Sequence, residues 1–217
     1  MNQLTNNILQ IVRETRGMTL PYYGNVEIEY KKSDASYDIV TKVDKDVETF
    51  LRERLKEIDP QAGFTGEEFG GDYSMNRFWI CDPIDGTAHF VRGLPFCTTM
   101  LALIENGVVT FSVIYDFVND VLYHAERGSG AYKNGDTILV SERPVDEAYL
   151  SWETHPDKAE NAGILLRLRE KSELINTMNC GFEFAMIASG KLEGRVCWDG
   201  YGKDWDYAPG SLLVSEA

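Results

Sequence analysis

Asp82 and Asp85 stand three positions apart in Asp82-Pro83-Ile84-Asp85-Gly86-Thr87, directly after the apolar run Phe78-Trp79-Ile80-Cys81. The run reads as a buried strand, so both carboxylates fall at a strand end and could converge on one small volume. Two such charges about 4 Å apart repel by about 4 kcal/mol at an effective dielectric of 20. They coexist only if a cation lies between them or one of them takes up a proton. An oxygen-only ligand set favours a hard ion such as Mg²⁺. The Gly86-Thr87 step can then present backbone N–H groups to an anion, as a helix N-terminus or nest does. The same residues also read more plainly, as a strand ending in an Asp-Gly turn.

Other acidic segments accompany this one. Gly66-Glu67-Glu68 follows Phe64-Thr65, and Trp205-Asp206-Tyr207-Ala208-Pro209-Gly210 lies near the C-terminus. Asp38-Ile39-Val40-Thr41-Lys42-Val43-Asp44 leads into a helical stripe of Val47, Phe50, Leu51, Leu55 and Ile58 that Asp59-Pro60 stops. Asp44 reads as the N-cap of that helix, with one oxygen capping and the other free for a second partner. Each acid also has a bland reading: Asp206 as a helix-start residue, Glu67 and Glu68 as surface acids at a turn, Thr87 as a cap. Together those readings require independent coincidences in separate segments.

The elements that must hold these residues follow from periodicity. Leu4, Ile8, Ile11 and Val12 predict a first helix that Gly17 ends. Strands are expected over 98–104 and 108–115, flanking the hairpin signal Glu105-Asn106-Gly107, and over 121–125 and 138–140. Turns at Gly128-Ser129-Gly130 and Asn134-Gly135 complete an antiparallel meander. Beyond it, strands are expected over 148–152 and 192–198, and helices over 159–169, 182–189 with Gly190 at its end, and 207–215. Strands and helices in separate blocks suggest an α+β arrangement in layers.

Composition limits the function classes. A net charge of −14 argues against nucleic acid and anionic membrane as partners. Bound Mg²⁺ would invert the local sign, so an acidic chain can still host an anion. Cys81, Cys97, Cys180 and Cys197 form no C-x-x-C pair, and Cys81 and Cys97 read as buried thiols. The N-terminal residues lack signal-peptide character and no apolar run is long enough for a bilayer, so a cytoplasmic location is expected.

Taken in order, the acidic segments resemble the signatures of the inositol monophosphatase family, the Mg²⁺-dependent, lithium-sensitive phosphatases: D-x-V-T-x-x-D, G-E-E, D-P-I-D-G-T-x-N-F and W-D-x-A-x-G. The resemblance runs from about Asp38 to Ala217. It implies a layered α-β-α-β-α sugar-phosphatase-like fold. Residues 1–145 would carry the antiparallel sheet and the metal-site motifs, and residues 146–217 would close the site. Family members usually continue past the W-D-x-A helix, so the C-terminal part is expected to be truncated.

The resemblance further implies two or three Mg²⁺ ions. Glu67, Asp82 and the carbonyl of Ile84 would bind one, and Asp82, Asp85 and Asp206 a second. Thr87, with Asp44 accepting from it, would orient the attacking water; Glu67, Asp44 and Thr87 are thus the catalytic set. Gly86 and Thr87 N–H groups would hold a phosphate oxygen, and Asp85, Phe182 and Asp199 would line the substrate side. The expected activity is hydrolysis of a small polyol phosphate, foremost inositol monophosphate, by a homodimer. Histidinol phosphate, fructose 1,6-bisphosphate or another sugar phosphate, or a low-activity binding member of the same fold, are the alternatives.

Departures from the family pattern bear on the substrate. His89 stands where the family has Asn and reads as a structural substitution beside the site. Pro209 replaces Ala, which the first helical turn would tolerate. Phe182 replaces a small pocket residue. Asp199, in Trp198-Asp199-Gly200-Tyr201, is one methylene shorter than the usual sugar-binding Glu, and Lys203 could reach a second anionic group.

Overall fold

A computed structural model describes residues 3–32, 39–154, 158–177, 179–200 and 202–217. Asp38 and Tyr201, which belong to the motifs above, lie outside the described residues. The apolar stripes form α1 (Gln3–Thr19) and α2 (Lys42–Ile58), which bury Ile8, Ile11, Val12, Val43, Val47, Leu51 and Leu55 in one cluster. Gly17 does not end α1. A glycine weakens a helix by about 1 kcal/mol but stops it only by turning left-handed, and Gly17 does not. The helix runs to Thr19, and Leu20-Pro21-Tyr22 tightens into a 3₁₀ turn.

A short ribbon pairs β1 (Ile28–Lys31) with β2 (Ile39–Thr41). Among the described residues the main sheet has eight strands: β3 (Gly63–Gly66), β4 (Gly70–Gly71), β5 (Arg77–Asp85), β6 (Thr98–Glu105), β7 (Val108–Asp116), β8 (Val121–Glu126), β9 (Gly130–Lys133) and β10 (Asp136–Ile138). Their order is β10-β9-β8-β7-β6-β5-β3-β4, so β5 to β10 form the expected antiparallel meander, while β3 pairs with β5 in parallel. α3 (Thr87–Arg92) lies between β5 and β6. A second, parallel sheet has the order β12-β11-β13, from β11 (Tyr149–Trp152), β12 (Glu173–Ile175) and β13 (Gly194–Val196). The remaining helices are α4 (Ala159–Arg169), α5 (Cys180–Ala188) and α6 (Asp204–Glu216).

Side-chain alternation makes the layers. Trp79, Cys81, Leu101, Leu103, Phe111 and Val113 join the α1–α2 cluster, while Met100 and Ile114 join Ala185, Leu212 and Leu213 of α5 and α6 on the other face. Burial on both faces explains why these strands read as continuous apolar runs. α5 also touches β13 and α4 touches β12, so the order of layers is helix, sheet, helix, sheet, helix.

Several boundaries differ from the sequence reading. Asn134 and Gly135, at φ 50° and 94°, form a tight turn that pairs Asp136 directly with Lys133. β10 therefore starts at the turn rather than at Ile138, and β9, which periodicity did not separate from its flanking glycines, precedes it. β12 was also unread, β13 is shorter than 192–198, and α6 opens at Asp204 rather than after Asp206. Pro209 is consequently the sixth residue of α6, not part of its first turn, so the Trp205 carbonyl loses its helical donor there.

Candidate active site

Residues i and i+3 of a regular strand face opposite sides of the sheet. Asp82 and Asp85 escape that rule through a bulge: Asp82 pairs with Met100 and Asp85 with Thr98, so three steps on β5 match two on β6. The extra residue resets the alternation and turns both carboxylates toward α5 and α6. Pro83, which has no N–H to offer a ladder, sits inside the bulge. Asp85 Oδ2 then accepts from Gly181 N–H of α5 at 2.5 Å and from Thr98 Oγ1 at 3.2 Å. A Cβ on Gly181 would lie 2.2 Å from Thr98 Oγ1 and 3.0 Å from Asp85 Oδ2, so glycine is what lets α5 approach.

The strand turns into α3 at Gly86, held at φ 87°, a conformation that costs glycine little. Thr87 opens α3, where backbone N–H groups have no intrahelical acceptor. The Thr87 hydroxyl lies 2.9 Å from Asp44 Oδ1 and 3.0 Å from the Ile84 carbonyl. With one proton to donate, it serves one of them at a time and keeps lone pairs for a third group.

Asp44 is not the N-cap of α2. Thr41 is, and Asp44 is the third helical residue, reaching back in a capping box: its Oδ2 accepts from Thr41 N–H at 2.8 Å and Thr41 Oγ1 at 2.5 Å. One oxygen caps and the other takes Thr87. Asp206 occupies the same place in α6, with its Oδ2 accepting from Lys203 N–H. Each helix start thus aims an acid at the end of β5.

Glu67 follows β3, with its N–H bonded to the Cys81 carbonyl at 3.1 Å, beside Asp82. Lys32 Nζ bridges Glu67 at 2.8 Å and Glu68 at 2.9 Å. Burial weighs against that ammonium's charge, but Glu67 and Glu68 outweigh it and raise its pKa. Ligand atoms of Asp85, Cys180 and Asp206 lie within 4.8 Å of one another. Burial, followed by the Glu67, Asp85 and Asp206 charges, pushes Asp82 far above the carboxylate range. Burial, then Asp206, pushes Asp85 up to about 7. Burial pushes Asp206 up to about 6, against the bond from Lys203. Asp44 also rises to about 6, through burial opposed by its Thr41 and Thr87 bonds. Asp82 Oδ1 is buried without a hydrogen-bond partner among the described residues. Carboxylates buried together this deeply, with like charges beside them and one orphaned oxygen, are the donor set a hard divalent cation fits.

Of the residues expected to line the substrate, Phe182 is half-buried and packs edge-on against Phe96 at 5.1 Å, and Phe96 against His89 at 6.0 Å. These rings form a wall next to Gly86. Burial, then Arg92, lowers the His89 pKa, favouring the neutral imidazole. Asp199 accepts from Lys158 Nζ at 3.0 Å, from Asn161 Nδ2 at 2.9 Å and from the Thr154 hydroxyl. Sequence reasoning missed Arg195, whose side chain is 5% exposed. Its Nε donates to Glu183 at 2.8 Å and its charge pulls the Asp206 pKa down. It also missed Glu48, a fully buried acid on α2. The available signal for Glu48 was its spacing: one turn beyond Asp44, beside an apolar stripe.

The fold and this acidic site define the class of the protein, which is a phosphoric monoester hydrolase. The model of the inositol monophosphatase family matches residues 2–217, and the chain belongs to that family. It is 31% identical over 212 residues to the fructose-1,6-bisphosphatase/inositol-1-monophosphatase of Thermotoga maritima, covering 96% of this chain and 80% of that one. It is 32% identical over 216 residues to the histidinol-phosphatase of Chlorobaculum parvum, covering 96% of this chain and 81% of that one. The solved structure of a Thermotoga maritima IMPase superposes with a TM-score of 0.89 at 29% identity, covering 100% of this chain and 84% of that one. No helix among the described residues is long and apolar enough to cross a membrane.

Proposed function

We propose that the protein hydrolyses a small polyol phosphate, with inositol monophosphate the first candidate, using Mg²⁺ held by Glu67, Asp82, the Ile84 carbonyl, Asp85 and Asp206. The observation that carries this reading is the Thr87–Asp44 pair, 2.9 Å apart, placed at the strand end where Asp82 and Asp85 face one side. When bound, Mg²⁺ supplies charge to the phosphate oxygens and acidifies the attacking water.

The rest falls to the chain's own groups. Thr87 donates to Asp44 and accepts from the water, which leaves a water lone pair directed at phosphorus. Asp44, anchored by Thr41, fixes the Thr87 rotamer. The Gly86 and Thr87 N–H groups, at the start of α3, supply donors for a phosphate oxygen. Phe182, Phe96 and His89 shape the apolar side of the pocket.

Bonds from Thr154, Lys158 and Asn161 hold the Asp199 carboxylate, which favours testing substrates besides inositol phosphate. Relatives named histidinol-phosphatase and fructose-1,6-bisphosphatase add those two phosphates to the panel. The resemblance supports a homodimer, an assembly that sedimentation tests. The deciding experiment measures inorganic phosphate release from inositol, histidinol, glycerol and fructose phosphates with Mg²⁺ and after exhaustive chelation. Release that needs Mg²⁺ is expected; full turnover after chelation would overturn the reading.

A further inference from the structure

Glu48 lies one turn beyond Asp44 on α2, and its carboxylate is fully buried. Its Oε2 accepts from the Glu68 N–H at 2.7 Å. Its Oε1 accepts from the Phe69 N–H at 3.3 Å and from Arg52 Nη2 at 2.9 Å. The same Arg52 nitrogen donates to the Gly70 carbonyl at 3.0 Å, and the guanidinium lies over the Phe64 ring at 4.6 Å. A Cβ on Gly66 would fall 2.1 to 2.5 Å from the Glu48 carboxylate atoms. The turn joining β3 to β4 is therefore wrapped around one anion.

That turn carries Glu67. Its own N–H is fixed to the Cys81 carbonyl, and the next two N–H groups along the chain are fixed to Glu48. An i, i+4 ion pair with Arg52 would by itself explain a surface acid, but not a buried one that spends its lone pairs on the backbone of another segment. We propose that Glu48 is a positioning residue for the metal site: it delivers the Glu67 carboxylate to Asp82. One helix then sets two parts of the site, Thr87 through Asp44 and Glu67 through Glu48. The inference rests on the proposed Mg²⁺-dependent reaction and adds an outer support that Mg²⁺ affinity should report.

The test uses the full chain. Mg²⁺ binding is measured by calorimetry without substrate, and Mg²⁺ half-saturation and kcat by phosphate release, for wild type, Glu48→Gln, Arg52→Lys and Gly66→Ala. Glu53→Gln, an exposed change on the same helix, is the control. Outer partners of metal ligands commonly govern affinity by 10- to 100-fold. Glu48→Gln should weaken Mg²⁺ binding by about tenfold or more, with kcat at saturating Mg²⁺ within about threefold of wild type. Gly66→Ala should do the same by displacing the carboxylate, and Arg52→Lys should move it less, in the same direction. If Glu48→Gln does not fold, the Gly66 and Arg52 variants decide. Unchanged Mg²⁺ affinity in the folded variants, or lost kcat with unchanged affinity, would overturn the assignment. A wild type that binds Mg²⁺ but releases no phosphate would sink the phosphatase reading alone, and calorimetry would still decide Glu48.

Discussion

Asp85→Asn should make the metal-free protein more stable while abolishing most of its turnover. Among the described residues, both hydrogen bonds to the Asp85 carboxylate end on the same oxygen, Oδ2, from Gly181 N–H and Thr98 Oγ1. An Asn side chain can place its carbonyl oxygen there and keep both, so little is lost in geometry. What it removes is a charge. Burial and Asp206 push the Asp85 carboxyl up to about 7 from its usual 3.8, so at pH 8 ionising it in the fold costs about 4 kcal/mol. Asp82 and Asp206 share the repulsion, and a proton taken by either relieves part of it, so about half that gain is expected.

For a chain of this size, about 2 kcal/mol raises the melting temperature by roughly 4–8 °C. The sign follows from proton binding. The folded-state value lies above the unfolded one, so the fold holds an extra proton between about pH 4 and 7. Metal-free stability therefore falls as pH rises through that window. Asp44 and Asp206, raised to about 6, act in the same direction. Burial lowers His124 to about 4, which acts oppositely below its usual 6.5. The advantage of the Asn variant over wild type should be full at pH 8 and gone near pH 4. Thermal melts in chelator at both pH values measure it. Saturating Mg²⁺ should reverse the order, because only wild type gains the full binding energy. An Asn variant that melts below wild type at pH 8 in chelator would show that the carboxylate is structural.

Thr87→Ala should lower kcat far more than it raises KM, because it disturbs the water and hardly touches ground-state binding. Asp44→Asn should do the same with little further loss in the double variant, and additive losses measured in that cycle would separate the two residues. Phe182→Ala opens the wall formed with Phe96, so kcat/KM for inositol monophosphate should rise about tenfold more than for glycerol phosphate, on the scale of one apolar group. Equal changes for both substrates would place Phe182 outside the pocket.

Local patterns carried the elements that depend on local geometry. The stripe of α2 and its stop at Asp59 were legible because amphipathic spacing and the Asp-Pro step act within a few residues. The β6–β7 hairpin was legible because Asn106 and Gly107 tolerate the φ values of 51° and 77° its turn demands. The boundaries of α6 and β10 were less so, since a cap or a turn one residue away shifts pairing without changing the apolar pattern.

The sequence by itself determined which chemistry was available: carboxylates in ordered segments, a Gly-Thr step, and enough apolar length for layers. It could not show that Asp82 and Asp85 share a face, because three steps along a strand place them on opposite sides until the β5–β6 bulge adds a residue. Nor could it show that Asp199 is held by Thr154, Lys158 and Asn161, or that Glu48 supports the Glu67 turn. Those facts depend on distances between segments far apart in the chain. Such distances are set when sheets and helices pack, by register and by clearances such as Gly66 against Glu48 and Gly181 against Asp85.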